Sequence, residues 1–148
     1  MTVSFSAKAE KMYSKEYYEN GFIKAEGWQM DSSKTGYWIF YHPNGKIASK
    51  GHFEKNKRDK YWYFYSKTGE LEKEGHFIKG SAENWWIFYE IGTRNKNKFE
   101  YKNNLKNGYG LRYKNKRLIK VEKYINDRKE GEWTSISSFR RDNPNVAF

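Results

Sequence analysis

The sequence predicts an all-β protein: an elongated, single-layer antiparallel sheet of consecutive β-hairpin repeats with a period of about 24 residues. Three observations lead there. Trp38, Trp62 and Trp86 lie 24 residues apart, inside the aromatic runs Tyr37 to Tyr41, Tyr61 to Tyr65 and Trp85 to Tyr89. Glycines six residues apart follow two of these runs, as Gly45/Gly51 and Gly69/Gly75. Aromatics make up 20 % of a chain whose apolar content is only 36 %, so rings rather than aliphatic side chains supply the buriable area.

Each element follows in order. Residues 1–16 form an N-terminal lead or cap, in which KAEKMYSKEYY (8–18) suits a short helix or a first strand. Asn20-Gly21 and Gly27-Trp28 repeat the glycine spacing and mark a degenerate first hairpin over about 17–30. In the next copy Asn44-Gly45 reads as a two-residue type I′ turn, which needs positive φ at both positions. That turn sets Pro43 against Lys46 and Trp38 against Gly51. Thr68-Gly69 does the same for Trp62 and Gly75. A ring laid over a strand glycine restores the cover that glycine lacks. Trp86 opens a third copy. Tyr109 to Tyr113 is a worn fourth, with Gly110 in the tryptophan position, and Trp133 opens a half repeat. The polar links at 54–60, 78–84 and 102–108 carry turn residues and return the chain, making a meander over 17–136. The tail 137–148 has no pattern.

Alternation assigns the faces. Trp38, Phe40, Trp62, Phe64, Trp86 and Phe88 fall on one side, as a hydrophobic spine. Tyr37, Tyr41, Tyr61, Tyr63, Tyr65, Trp85 and Tyr89 fall on the other, with phenol groups able to stay wet while the rings pack.

The unit W-x-x-Y-x-x-x-G-(x)5-G-x-(F/Y) resembles the MORN repeat, and more closely the bacterial MORN-variant repeat of YwqK-family, antitoxin-like proteins. Trp38, Tyr41, Gly45, Gly51 and Phe53 carry the likeness, then Trp62, Tyr65, Gly69, Gly75 and Phe77. The third copy keeps Trp86, Tyr89, Gly92 and Tyr101 but has Phe99 in place of the second glycine. The fourth keeps Tyr113 and Tyr124. The resemblance implies a non-catalytic array used for protein–protein contact, scaffolding or, in some members, contact with anionic lipid. Its antitoxin-like branch implies neutralisation of a partner protein.

The remaining chemistry agrees with a binding role. Cysteine is absent, which excludes disulfides and cysteine-based metal or redox sites. Of the three histidines, His42, His52 and His76, the last two read as one repeated strand position, because Trp28 and Glu100 stand there in neighbouring copies. Glu70, Glu72 and Glu74 alternate but have lysine neighbours. Phosphate-cradling loops, nucleophile elbows and zincin motifs are missing, so no catalytic residue, metal or cofactor is expected. The N-terminal stretch lacks the apolar run of a signal peptide, and no segment has the length of a membrane span, so a soluble cytoplasmic protein is expected.

Net charge is +11, with eight basic against three acidic residues over 109–131. The expected function is non-enzymatic binding of an acidic protein partner, in an antitoxin, immunity or scaffold role. Tyr37, Tyr41, Tyr61, Tyr63, Tyr65, Trp85 and Tyr89 would anchor it. A basic rim of Arg112, Lys114, Lys116, Arg117, Lys120 and Lys123 would steer it. The alternative is a polyanion-binding module for single-stranded nucleic acid or an anionic membrane surface. A third expectation is a homo-oligomer formed through the end hairpins.

Overall fold

The computed structural model describes residues 1–148. Eleven antiparallel strands form one open sheet in simple chain order. They are β1 Lys11–Tyr17, β2 Ile23–Met30, β3 Ser33–Tyr41, β4 Ile47–Glu54, β5 Lys57–Tyr65, β6 Leu71–Ile78, β7 Ser81–Tyr89, β8 Lys96–Lys102, β9 Leu105–Lys114, β10 Arg117–Ile125 and β11 Arg128–Trp133. One helix, α1 (Ile136–Asp142), follows. The sheet thus begins inside the segment expected to be a lead, and helix begins where no pattern was legible.

The turns run opposite to expectation. At Asn44-Gly45 only Gly45 is left-handed, with φ +86. Its N–H donates to the His42 carbonyl at 2.9 Å, and the His42 N–H donates to Lys46 at 2.8 Å. That is a three-residue loop closed by a left-handed glycine, not a type I′ turn. It moves the pairing by one residue, and a bulge between Phe40 and Tyr41 moves it back. The two shifts cancel, so Trp38 does stand opposite Gly51, and likewise Trp62 opposite Gly75. The turns with two positive φ values lie in the polar links instead, at Lys55-Asn56, Lys79-Gly80 and Asn103-Asn104. Most of each link is strand.

The indoles settle on different glycines from those expected. A Cβ on Gly27, Gly51 or Gly75 would lie 2.4, 2.3 or 2.2 Å from a ring atom of Trp38, Trp62 or Trp86. Each ring therefore covers the glycine of the preceding strand, linking one hairpin to the hairpin before it. A bulge makes this work. Gly51 pairs with Trp62 but His52 pairs with Asp59, so Lys60 and Tyr61 are skipped by β4. Gly36, Lys60, Asn84 and Gly108, again 24 apart, absorb the excess chain at positive φ. Indole N–H groups donate to the backbone carbonyls beside these bulges. Trp38 donates to Trp28 at 2.7 Å, Trp62 to His52 at 3.0 Å and Trp86 to His76 at 3.1 Å.

The fourth copy inverts the device. Phe99 on β8 pairs with Gly110 on β9, and a Cβ on Gly110 would lie 2.8 Å from the phenyl ring. Ring and glycine have exchanged strands.

Burial follows from rings lying flat. Trp38 and Trp62 are 0 % exposed in a sheet without a second layer over them. Phe40, Phe53, Phe64 and Phe77 pack around them, with ring centroids 5.1–6.4 Å apart. Cations close the top. Lys34 lies 4.7 Å from the Trp38 ring, Arg58 lies 4.9 Å from Trp62, and Lys106 lies 4.1 Å from Phe99. Burial lowers the Arg58 pKa.

Both long edges are clipped from repeat to repeat. Asn56, Gly80, Asn104 and Asp127 donate backbone N–H groups to Lys34, Arg58, Ala82 and Lys106 carbonyls at 2.8–3.1 Å. On the other edge Asn20 and Asn44 side chains donate to Pro43 and Lys67 carbonyls. Adding a methyl at Gly51 forces the Trp62 ring off its seat and is expected to cost about 3 kcal/mol. Gly45→Ala meets open space and only a backbone penalty, about 1 kcal/mol. Urea denaturation of the two variants measures that ordering.

Candidate functional site: the tyrosine face

Register places Tyr37, Tyr41, Tyr61, Tyr63, Tyr65, Trp85 and Tyr89 together on one side of the sheet. The buried residues of β2–β8 point to the opposite, tryptophan side. The tyrosine side is buried only at Leu111 and Val121, where Phe139 of α1 covers it. Over β1–β7 its rings are partly or largely exposed.

Three lines of residues cross the strands on this face. The first is Tyr13, Tyr37, Tyr61, Trp85 and Tyr109, each 24 residues after the last. Across each hairpin they pair with Trp28, His52, His76, Glu100 and Lys123. Three of these pairs are edge-to-face, with centroids 5.1, 5.1 and 4.7 Å apart for Tyr13–Trp28, Tyr37–His52 and Tyr61–His76. A second line, Tyr17, Tyr41, Tyr65, Tyr89 and Tyr113, runs nearer the other edge. Between them lies a midline in which Glu26, Lys50, Glu74 and Lys98 alternate with Ile39, Tyr63, Ile87 and Leu111. The result is a trough with aromatic sides.

Polar groups in the trough hold the rings. Tyr41 donates to Glu26 at 2.7 Å, and Tyr61 and Tyr89 donate to Glu74 at 2.7 and 3.2 Å. Burial, then the Glu26 hydrogen bond, push the Tyr41 phenol up to about 12. Tyr61 and Tyr89 are raised by burial together with Glu74. Lys50 lies over Tyr63 and Tyr65, 5.6 Å from each ring. The histidines are dispersed: His52 and His76 stack as above, and His42 Nε2 lies 2.9 Å from the Tyr65 carbonyl.

The C-terminal tail occupies one end of the trough. Ser135 caps α1 by accepting from the Ser138 N–H at 3.1 Å. Phe139 packs on Trp133 and Tyr109, and the Trp133 indole donates to Asp142 at 3.0 Å. Tyr109 donates to the Asn143 side chain at 3.4 Å. Phe148 then lies 5.4 Å from Tyr109 and 6.2 Å from Trp85. A cavity of about 570 Å³ remains beside it, lined by Tyr61, His76, Trp85, Glu100 and Tyr113 among others. Burial raises the Glu100 carboxyl, partly offset by the Tyr109 N–H.

The basic rim is divided rather than continuous. Arg112 is ion-paired with the buried Glu122, and Lys120 with Glu132 at 2.8 Å. Lys129 joins both carboxylates, at 2.6 and 2.8 Å. Burial pushes Glu122 up, but hydrogen bonds from Lys129 and Arg112 leave it below its ordinary value. This network shares the side of Tyr124 and Phe99, away from the tyrosine face. Lys123 lies 5.8 Å from the Tyr109 ring. Lys114, Lys116 and Arg117 cluster, exposed, about the β9–β10 turn.

The chain matches no protein-family model and no curated protein. No helix is long and apolar enough to cross a membrane.

The raised phenols make stability sensitive to alkali. A folded-state pKa above the unfolded value contributes stability that is complete below about pH 10 and is lost as pH rises through the folded pKa. For Tyr41 that window ends near pH 12. The melting temperature should therefore fall above about pH 10. Tyr41→Phe and Tyr61→Phe should each flatten the fall, as read by thermal melts across alkaline pH.

Proposed function

We propose that this chain is a non-catalytic binding module that holds a partner protein on its tyrosine face. The observation that carries the proposal is the division of labour between the two faces. One is closed by its own rings, while the other presents part-exposed rings over most of its length. Tyrosine and tryptophan give contact area at low cost in side-chain entropy and keep a polar tip for hydrogen bonding. Two carboxylates of this face, Glu26 and Glu74, accept from tyrosines and so position rings. An antitoxin, immunity or scaffold role, which the MORN-like pattern implies, is one form of this proposal. A cytoplasmic setting, in keeping with the absence of cysteine, belongs to it as well.

A polyanion-binding role is supported by Lys114, Lys116 and Arg117, which make no ion pair within the chain. The trough argues against it, because Glu26 and Glu74 balance Lys50 and Lys98 along its midline.

Affinity capture with the tagged chain, with and without nuclease, separates the two readings. A protein retained after nuclease, and lost at least tenfold by Tyr63→Ala or Trp85→Ala in folded variants, is the expected result. Recovery of nucleic acid, with retention falling steeply with salt, would transfer the role to the exposed cations.

A further inference from the structure

We infer that the trough takes a proline-rich segment of the partner, in the polyproline II conformation, laid across the strands. The inference rests on the reading of this face as protein-binding, and it names the chemistry of the partner.

The spacing of the lattice selects the conformation. Neighbouring strands lie about 4.8 Å apart, so equivalent residues of successive hairpins recur about every 9.6 Å. A polyproline II helix rises about 3.1 Å per residue with three residues per turn, and presents the same side about every 9.3 Å. An extended β-strand returns to one side about every 6.7 Å. An α-helix does so about every 5.4 Å. Only the first period matches the hairpin pitch. A guest in that conformation can set one residue against each of Tyr37, Tyr61 and Trp85 without losing register.

The chemistry agrees. Polyproline II has no internal hydrogen bonds, so its carbonyls need external donors. Four of the six indoles, Trp38, Trp62, Trp86 and Trp133, donate within the chain. Those of Trp28 and Trp85 do not; Trp85 belongs to the first line bordering the trough, and Trp28 is paired with Tyr13 of that line. Proline rings pack on the faces of tyrosine and tryptophan. The balanced midline charge suits an uncharged guest better than a polyanion or an acidic peptide.

The chain's own tail already lies on part of this face. Asn143–Phe148 turns at Pro144-Asn145, closed by the Val146 N–H donating to the Asn143 carbonyl at 3.2 Å. It passes from Tyr109 on β9 to Trp85 on β7, across the strands. Its last ring rests on the same line of aromatics that the guest would follow.

The test uses the full chain and a fluorescein-labelled twelve-residue polyproline, with six-residue polyproline, a twelve-residue Gly-Ser peptide and a twelve-residue oligothymidylate as comparisons, all by anisotropy. Saturable binding of the twelve-residue proline peptide is expected, at least tenfold tighter than the six-residue and Gly-Ser peptides. Tyr37→Ala and Trp85→Ala should each weaken it at least fivefold. Tyr37 is 40 % exposed, so its variant leaves the core untouched and keeps the test valid if the other misfolds. No saturation at millimolar protein, equal binding of the Gly-Ser peptide, tighter binding of the oligonucleotide, or unchanged affinity in folded variants would each overturn the inference. If a captured protein still depends on Tyr63 and Trp85 while proline peptides neither bind nor compete, this inference fails and the protein-binding reading stands. If no protein is captured at all, the reading beneath it fails.

Discussion

Everything in this sheet depends on an indole lying flat on a glycine of the neighbouring hairpin. A single layer has no opposing layer to bury its rings against, so it must bury them against its own backbone. That requires a position without a Cβ, a bulge to bring the ring over it, and an acceptor for the ring N–H. Gly51, Lys60 and the His52 carbonyl meet these needs for Trp62, and the same three positions recur for Trp38 and Trp86. Removing any one strains the other two. Because each lock joins consecutive hairpins, cohesion passes along the array from neighbour to neighbour, as in other repeat proteins.

The lock also determines what the other face can be. The bulge that seats Trp62 leaves Tyr61 unpaired toward β4 and sets it beside His76. The same geometry presents Tyr37 and Trp85. An aromatic line on the exposed side is thus a by-product of how the core is made, and its spacing is inherited from the core. The trough needs no separate scaffold. What distinguishes it from plain surface is the way Glu26 and Glu74 hold phenols in place while other rings and indoles keep unpaired polar tips.

Much of this was legible in the sequence, for physical reasons that differ by element. Period and alternation give the meander, the two faces and the seven aromatic residues that share the tyrosine face, because strand geometry leaves little freedom once the repeat is seen. Turn type was not legible. Asn-Gly favours a two-residue turn locally, but the bulge at Phe40 goes with a three-residue loop, and the same loop and bulge recur at Gly21 and Gly69, where no proline stands. Nor was the choice between two glycines, since Trp38 stands opposite Gly51 in register yet lies over Gly27. Tyr13, Tyr17, Tyr109 and Tyr113 could have been added to the trough by counting 24 in both directions. The division of the basic rim depends on Glu122 and Glu132, whose partners are set by a register slip in β10 that no local pattern announces. The seat of Phe148 had no signal in the sequence at all.

The exchange of Phe99 and Gly110 bears on how such an array can change length. Between β2 and β7 every junction joins a glycine strand to a tryptophan strand in the same sense, so a 24-residue unit could be duplicated or excised there with its neighbours still fitting. At β8–β9 the sense is reversed. A standard unit spliced in at that point would meet ring with ring on one side and glycine with glycine on the other. The junction therefore works as a polarity marker: a standard unit fits between neighbours anywhere from β2 to β7 and is refused at β8–β9.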